Sequence, residues 1–261
     1  MSKIPITVEV LTFNNQSTIA KTLESVRDFD EILALDGGSA DGTIEILRSY
    51  GARILPQFPG ALGPRPISDF SAVRNRGLAV ARHAWFLFVD SDEMLTPEIV
   101  HEIGEIVVSP YPAFRIWNVP RKYMIAGEVM ECSATYPNAQ PRFFHRDYVE
   151  GFAKPIHERI MPRPGVASGT LKNFMLVPLA APRELWAKWR RYLELEEKRW
   201  GEMSRAEAVR KVAHAAKPII LYALRLPKRL FCGGRALPLS YELLYQRYNF
   251  VLFFRLLRRI I

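Results

Sequence analysis

The chain has 261 residues, 49% of them hydrophobic, which is enough to bury a full core and too apolar for wholesale disorder. Net charge is +9: residues 181–261 carry 18 Lys and Arg against 7 Asp and Glu, while the first 180 carry 18 against 20. The basic excess is confined to the C-terminal third, which directs the search for an anionic partner, membrane or nucleic acid, to that part.

Two cysteines, Cys132 and Cys232, exclude a disulfide framework and a cysteine-rich metal site and make a reducing compartment the default. No apolar leader comes after Lys3, and no run of about 18 uncharged apolar residues predicts a spanning helix.

In chain order, "ITVEVLTFNN" reads as a strand closing on Asn14-Asn15, a turn signal. Ile19, Leu23 and Val26 have helical spacing. "DEILALDGGSADGT" is a short apolar strand with an acidic, glycine-rich loop, and "TIEILRSYG" a helix ended by glycine. "ARILPQF" predicts a third strand, and "SDFSAVRNRGLAVAR" a helix capped by Ser68 or Asp69. "AWFLFVD" is almost continuously apolar, as a central parallel strand should be. "TPEIVHEIGEIV" comes next as a helix with Pro97 in its first turn.

This alternation predicts an α/β fold with a Rossmann-like, doubly wound, mostly parallel sheet. In such sheets ligands bind beyond the carboxyl ends of the strands. Three polar clusters occupy such ends: Thr12 to Asn14, Asp36 to Ser39, and Asp90 to Glu93. From about 110 to 175 the pattern turns mixed or antiparallel, with "AFRIWNVPRKYMI" and "QPRFFHRDYVEGF" as strands. Residues 183–212 are strongly helical. Pro218, Pro227 and Pro238 are expected to interrupt the chain after them, before a last helix, "YELLYQRYNFVLFFRLLRRII". The expected organisation is a catalytic domain over 1–180 and a helical, basic extension over 181–261.

Asp90-Ser91-Asp92-Glu93 lies directly after the fourth strand. Like charges so close repel, so something positive belongs beside them. Alternate carboxylates suit a hard divalent cation, Mg²⁺ or Mn²⁺, which takes one or two carboxylates and completes its shell with substrate phosphates. The same spacing also serves a solvated loop in which Asp92 or Glu93 caps the next helix. Asp36 stands where an acid can hold a ribose hydroxyl or a base, and Gly38 lets the backbone approach a ligand closely. Neither G-x-G-x-x-G nor G-x-x-x-x-G-K is present, which disfavours a dehydrogenase or a P-loop enzyme. Arg74 and Arg76 either pair with a diphosphate or lie on a solvated helical face. Gln140, Arg142 and His145 either shape an acceptor or diphosphate pocket or sit solvated on an edge strand.

"VLTFNN", "ILALDGGSADGT", "AVRNRGLAVARHAWFLFVDSDE" and "GFAKPIHERI", in this order, resemble the family 2 glycosyltransferases of the GT-A fold over roughly residues 4–200. The likeness is closer to the lipopolysaccharide-core β-glucosyltransferase subgroup. The resemblance implies a nucleotide-sugar donor, a UDP-sugar foremost, lying across the first strand ends. Thr12, Asn14 and Asp36 would then contact the nucleoside, Gly38, Arg74 and Ser91 the donor, and Asp90 and Asp92 a Mn²⁺ or Mg²⁺ ion bridging its diphosphate. Two departures stand out. His83-Ala84 replaces the Gly-Asp often found before the metal strand, and His157-Glu158 stands in place of the usual Glu-Asp base motif. Glu158 is therefore the candidate general base, His157 a metal or diphosphate contact, and Glu93 a competitor for the base role. Attack from the face opposite the leaving group would invert the anomeric centre.

In the tail, Val251, Phe254, Leu257 and Ile261 share a helical face, while Arg255, Arg258 and Arg259 interrupt any spanning reading. Such a segment suits the plane of an anionic leaflet, here the cytoplasmic, inner face of the cell membrane; packing on the catalytic domain or a homo-oligomer contact are the alternatives. No nucleic-acid module is recognisable. The expected function is an inverting glycosyltransferase acting on an envelope glycan or lipid-linked acceptor. A metal-dependent nucleotidyltransferase would want a basic phosphate loop, and "LTFNNQST" has no basic residue. A non-catalytic membrane-associated scaffold is the reading outside the enzymes.

Overall fold

The computed structural model describes residues 3–60, 63, 67–155, 158–201 and 203–260. They form two compact units, Met1–Arg121 with Ala139–Val177, and Lys122–Asn138 with Pro178–Ile261.

The first unit is built on β1 (Ile4–Thr12), whose alternate residues Ile6, Val8 and Val10 are fully buried. Thr7 and Glu9, on the opposite pleat face, are buried as well. A strand covered on both faces belongs at the centre of a parallel sheet. β1 pairs in parallel with β2 (Phe29–Asp36) and with β4 (Trp85–Asp90), and β3 (Arg53–Pro56) lies parallel outside β2. Between them come α1 (Ile19–Ser25), α2 (Thr43–Ser49) and α3 (Phe70–Val80); β5 (Met94–Leu95) and α4 (Pro97–Val108) come after β4.

Helices cover both sheet faces. Ile6, Val8 and Val10 cluster with Ile19 and Leu23 of α1, Leu47 of α2, and Ile99 and Ile103 of α4. Leu33 and Leu35 of β2 cluster instead with Val73 of α3. The doubly wound α/β sheet expected from the sequence is therefore present. Of the two caps considered for α3 it is Asp69 that accepts from the Ala72 N–H, and α4 starts with Thr96 as cap and Pro97 in its first turn.

Beyond β4 the sheet turns antiparallel. β8 (Ala139–His145) pairs with β4, and β6 (Ile116–Ile125) with β8; β7 (Glu128–Val129) turns back on the end of β6. β9 (Val149–Ala153) and β10 (Arg159–Pro162) form a hairpin, β11 (Ser168–Thr170) runs beside β6, and β12 (Met175–Pro178) pairs with β5.

In the second unit, α5 (Pro182–Arg199), α6 (Arg205–Arg225) and α7 (Leu239–Leu257) carry the fold. The helical stretch expected over 183–212 is broken after Arg199, where Gly201 adopts a positive φ of 44°. Pro218 does not interrupt α6 but lies inside it. Cys132 and Cys232 are joined in a disulfide, a pairing that their number and spacing did not suggest. Glu242 is buried on α7 and accepts from the Ala134 N–H. α7 packs against α5 and α6: Arg255 pairs with Glu197 at 2.7 Å and Arg247 lies over the Trp186 ring. Val251 and Leu257 are half-buried there and Phe254 is exposed; Ile261 lies outside the described residues. Among the described residues no helix is long and apolar enough to cross a membrane.

Candidate active site

Parallel register brings the three polar clusters to one end of the sheet. Thr12 is the register partner of Asp36, and Leu11 of Asp90, so β1, β2 and β4 end together.

Asp36 organises the first part of this end. Its carboxylate accepts from the hydroxyls of Thr12 at 2.8 Å and Ser39 at 2.6 Å, and from the N–H groups of Gly38 and Ser39 at 2.8 and 2.7 Å. Gly38 takes a φ of 90°, open to glycine without strain. Asn14, at a φ of 52°, receives Ala40 N–H on its side-chain oxygen, while its own N–H donates to Ser39. Buried Gln57 donates to the carbonyls of Thr12 and Leu35, fastening β3 to the same end. Thr12, Asn14, Asp36 and Gly38 are thus brought together. Ser39, the end of the second polar cluster, belongs with them, and so does Gln57, to which sequence reasoning gave no role.

The second part answers what tolerates the acids after β4. Arg74, buried on α3, donates to Glu9 at 2.8 Å, to Asp90 at 2.9 Å and to Glu158 at 3.4 Å. Arg142, buried on β8, donates to Glu93 at 2.9 Å and to the other oxygen of Asp90 at 3.2 Å. Arg121 reaches Glu93 at 3.4 Å. Both Arg74 and Arg142 also lie over the Phe88 ring, at 4.7 and 4.8 Å from its centre.

These contacts set the charge states. Burial works against ionisation of Asp90, but Arg142 and Arg74 outweigh it and hold the carboxyl well below its usual range. Its side chain stays 47% exposed, so one side of an ionised carboxylate faces solvent. Glu93 is the opposite case: it is 2% exposed, and burial pushes its carboxyl up despite Arg142. Its carboxylate also accepts from the Asp90 N–H at 3.1 Å, which ties the turn through half-buried Ser91 and Asp92. Glu9 is fully buried, and burial raises it to about 7 against the pull of Arg74.

The segment Arg74-Asn75-Arg76-Gly77 shows how α3 holds the site. Arg74 gathers the acids. Asn75 exchanges two hydrogen bonds with the Phe152 backbone, holding β9, whose hairpin partner β10 begins directly after Glu158. Arg76 is half-buried and donates to the Pro56 and Gln57 carbonyls at the end of β3. Gly77 leaves room for Glu9.

Glu158 is 16% exposed and lies beside Arg74; His157 lies outside the described residues. His145 is not at the site. It pairs with Trp85 at the start of β4, five residues and about 16 Å from Asp90. Glu9 and Arg121 went unremarked in the sequence, although a glutamate inside a mostly apolar strand is a signal that something positive meets it.

Residues 7–112 match the family described as Glycosyl transferase family 2. The glycosyltransferase SunS of Bacillus subtilis (strain 168) is 30% identical over 118 residues, 41% of this chain and 27% of that protein. The lipopolysaccharide core biosynthesis glycosyltransferase LpsC of Rhizobium meliloti (strain 1021) is 23% identical over 176 residues, 66% of this chain and 64% of that protein. The crystal structure of S. aureus TarS 1–349 with UDP superposes with a TM-score of 0.48 at 16% identity, covering 88% of this chain and 72% of that chain. The chain spans between 27% and 33% of the length of the first four curated relatives it matches. The part of this chain that is similar to glycosyl transferase family 2, residues 7–112, runs from β1 to just past α4.

Proposed function

We propose that the protein is a glycosyltransferase that moves a sugar from a nucleotide-sugar donor, a UDP-sugar, to a hydroxyl of an envelope glycan or lipid-linked acceptor, with inversion. One observation carries the reading: a single buried guanidinium, Arg74, joins Asp90 at the end of β4 to Glu158 directly before β10.

The donor set at Asp90 and Asp92 suits a hard divalent ion. A carboxylate offers about four lone-pair sites, and the arginine contacts of Asp90 occupy one on each oxygen while leaving the group ionised and half exposed. Such an ion takes one or two carboxylates and completes its shell with substrate phosphates. Asp90 and Asp92 would hold Mn²⁺ or Mg²⁺. When bound, it would supply Lewis-acid neutralisation of the leaving diphosphate.

The chain's own residues supply the remainder. Thr12, Asn14, Asp36 and Gly38 form the floor for the nucleoside, in a loop that its own hydrogen bonds close. Arg74 and Arg142 keep Asp90 ionised. Glu158 takes the proton from the acceptor hydroxyl, restrained by the Nε–H of Arg74, a step worth typically 10²–10⁴-fold. Glu93, enclosed by Arg142 and Arg121, positions the Asp90–Asp92 turn and touches no substrate.

Titration of the purified protein with nucleoside diphosphates, with and without Mn²⁺, tests this directly. Metal-assisted uptake is expected, with sugar transfer lost at least about a hundredfold in Glu158→Gln. No uptake of any nucleoside diphosphate would overturn the reading.

A further inference from the structure

From Ala208 to Tyr241 the chain has seven basic residues and no acidic one. The stretch comprises most of α6 and the 3₁₀ segment Leu226–Phe231. His214, Lys217, Pro218, Leu221, Tyr222 and Arg225, all on α6, line a cavity of about 300 Å³. Two permanent cations and an imidazole thus meet an apolar and aromatic lining, with no carboxylate among the described lining residues. Pro218 opens this turn of the helix, because it has no N–H to give the His214 carbonyl.

Beside that lining runs an apolar stripe. Val209, Ile220 and Leu224 fall within about 60° of arc on α6, with Lys217 about 20° further round. They are 50%, 58% and 70% exposed. Leu230 and Phe231 end the 3₁₀ segment at 83% and 87% exposure, next to Lys228 and Arg229. Cys232 ties that end to Cys132. Large apolar side chains left in water and interleaved with lysine and arginine are the composition of a segment that lies in a lipid interface. The uniform sign of the charge selects an anionic surface.

We propose that α6 and Leu226–Phe231 dock on an anionic bilayer, seating a lipid phosphate against Lys217 and Arg225 while Leu224, Leu230 and Phe231 enter the headgroup region. The docking does not depend on the transfer reaction, so the two proposals fail separately.

Vesicle co-sedimentation of the full chain tests it. Binding is expected to phosphatidylcholine vesicles containing phosphatidylglycerol, falling with salt, and not to phosphatidylcholine alone. Lys217→Glu/Arg225→Glu should weaken it at least about tenfold, and Leu230→Ser/Phe231→Ser comparably, with thermal melting unchanged. The charge-matched Arg190→Glu/Arg191→Glu pair on α5 should leave it within about twofold. Absence of binding, or equal loss in the α5 pair, would overturn the proposal. So would an inorganic-phosphate-induced rise in melting temperature that depends on Lys217, combined with vesicle binding indifferent to Leu230 and Phe231; the cavity would then serve a free phosphate.

Discussion

A Cβ atom on Gly77 would lie 1.8 Å from the Glu9 carboxylate oxygen, so the helix glycine and the strand glutamate require each other. Glycine in a helix interior ordinarily costs about 1 kcal/mol relative to alanine. Here Gly77→Ala should destabilise by about 1–3 kcal/mol through overpacking, and the penalty should vanish in a Glu9→Ala background. Additive effects of the two changes in urea unfolding would refute the linkage.

Glu9 also predicts a pH dependence. Its carboxyl is raised to about 7 from 4.5, so between these values the native state binds a proton that the unfolded chain has released. Stability from this group is complete below about 4.5 and is lost as pH rises through about 7, by about 3 kcal/mol in all. Unfolding free energies across that window should lose this slope in Glu9→Gln.

Arg142 holds two carboxylates, one of them fully enclosed. Arg142→Met should cost about 3–5 kcal/mol, because it leaves Glu93 with less compensation. Adding Glu93→Gln should recover part of the loss. Arg142→Lys should fall between, since an ammonium cannot span Glu93 and Asp90 as the guanidinium fork does.

Asp36→Asn replaces an acceptor of four hydrogen bonds by a group with one acceptor oxygen. The loop should loosen by about 1–3 kcal/mol, and nucleoside diphosphate affinity should fall about tenfold with the fold retained. Unchanged affinity would remove Asp36 from the donor floor.

The Cys132–Cys232 bond closes a separation of 100 residues. In the chain-entropy account such a bond contributes about 4–5 kcal/mol. Reduction, or Cys132→Ser, should therefore lower the melting temperature by several degrees.

The first hundred residues were legible because their signals are local: apolar strands, a cap at Ser68 or Asp69, Pro97 in a first turn, and a glycine-rich loop after Asp36. A parallel sheet then collects the strand ends without further information, which is why Thr12, Asp36 and Asp90 were found together. What balances Asp90 was not legible in the same way, because Arg142 lies 52 residues downstream and its neighbours look like an ordinary edge strand. Glu9 and Gly77 were visible as two oddities, an acid in an apolar strand and a glycine in a helix, but only the fold shows that one explains the other. His145 was misplaced because nearness in sequence to Arg142 says nothing about which end of β8 meets β4's acids. The break after Arg199 comes from Gly201, whose backbone the helical periodicity around it conceals.

Arg74, Asn75, Arg76 and Gly77 take successive positions on α3, about 100° apart. Arg74 and Gly77 meet Glu9 of β1, Asn75 holds β9, and Arg76 holds the end of β3. The helix can therefore neither spin nor slide by a residue without letting go of three strands at once. Any adjustment at this end of the sheet must leave that axle still and fall to the torsions of the arginine side chains that radiate from it.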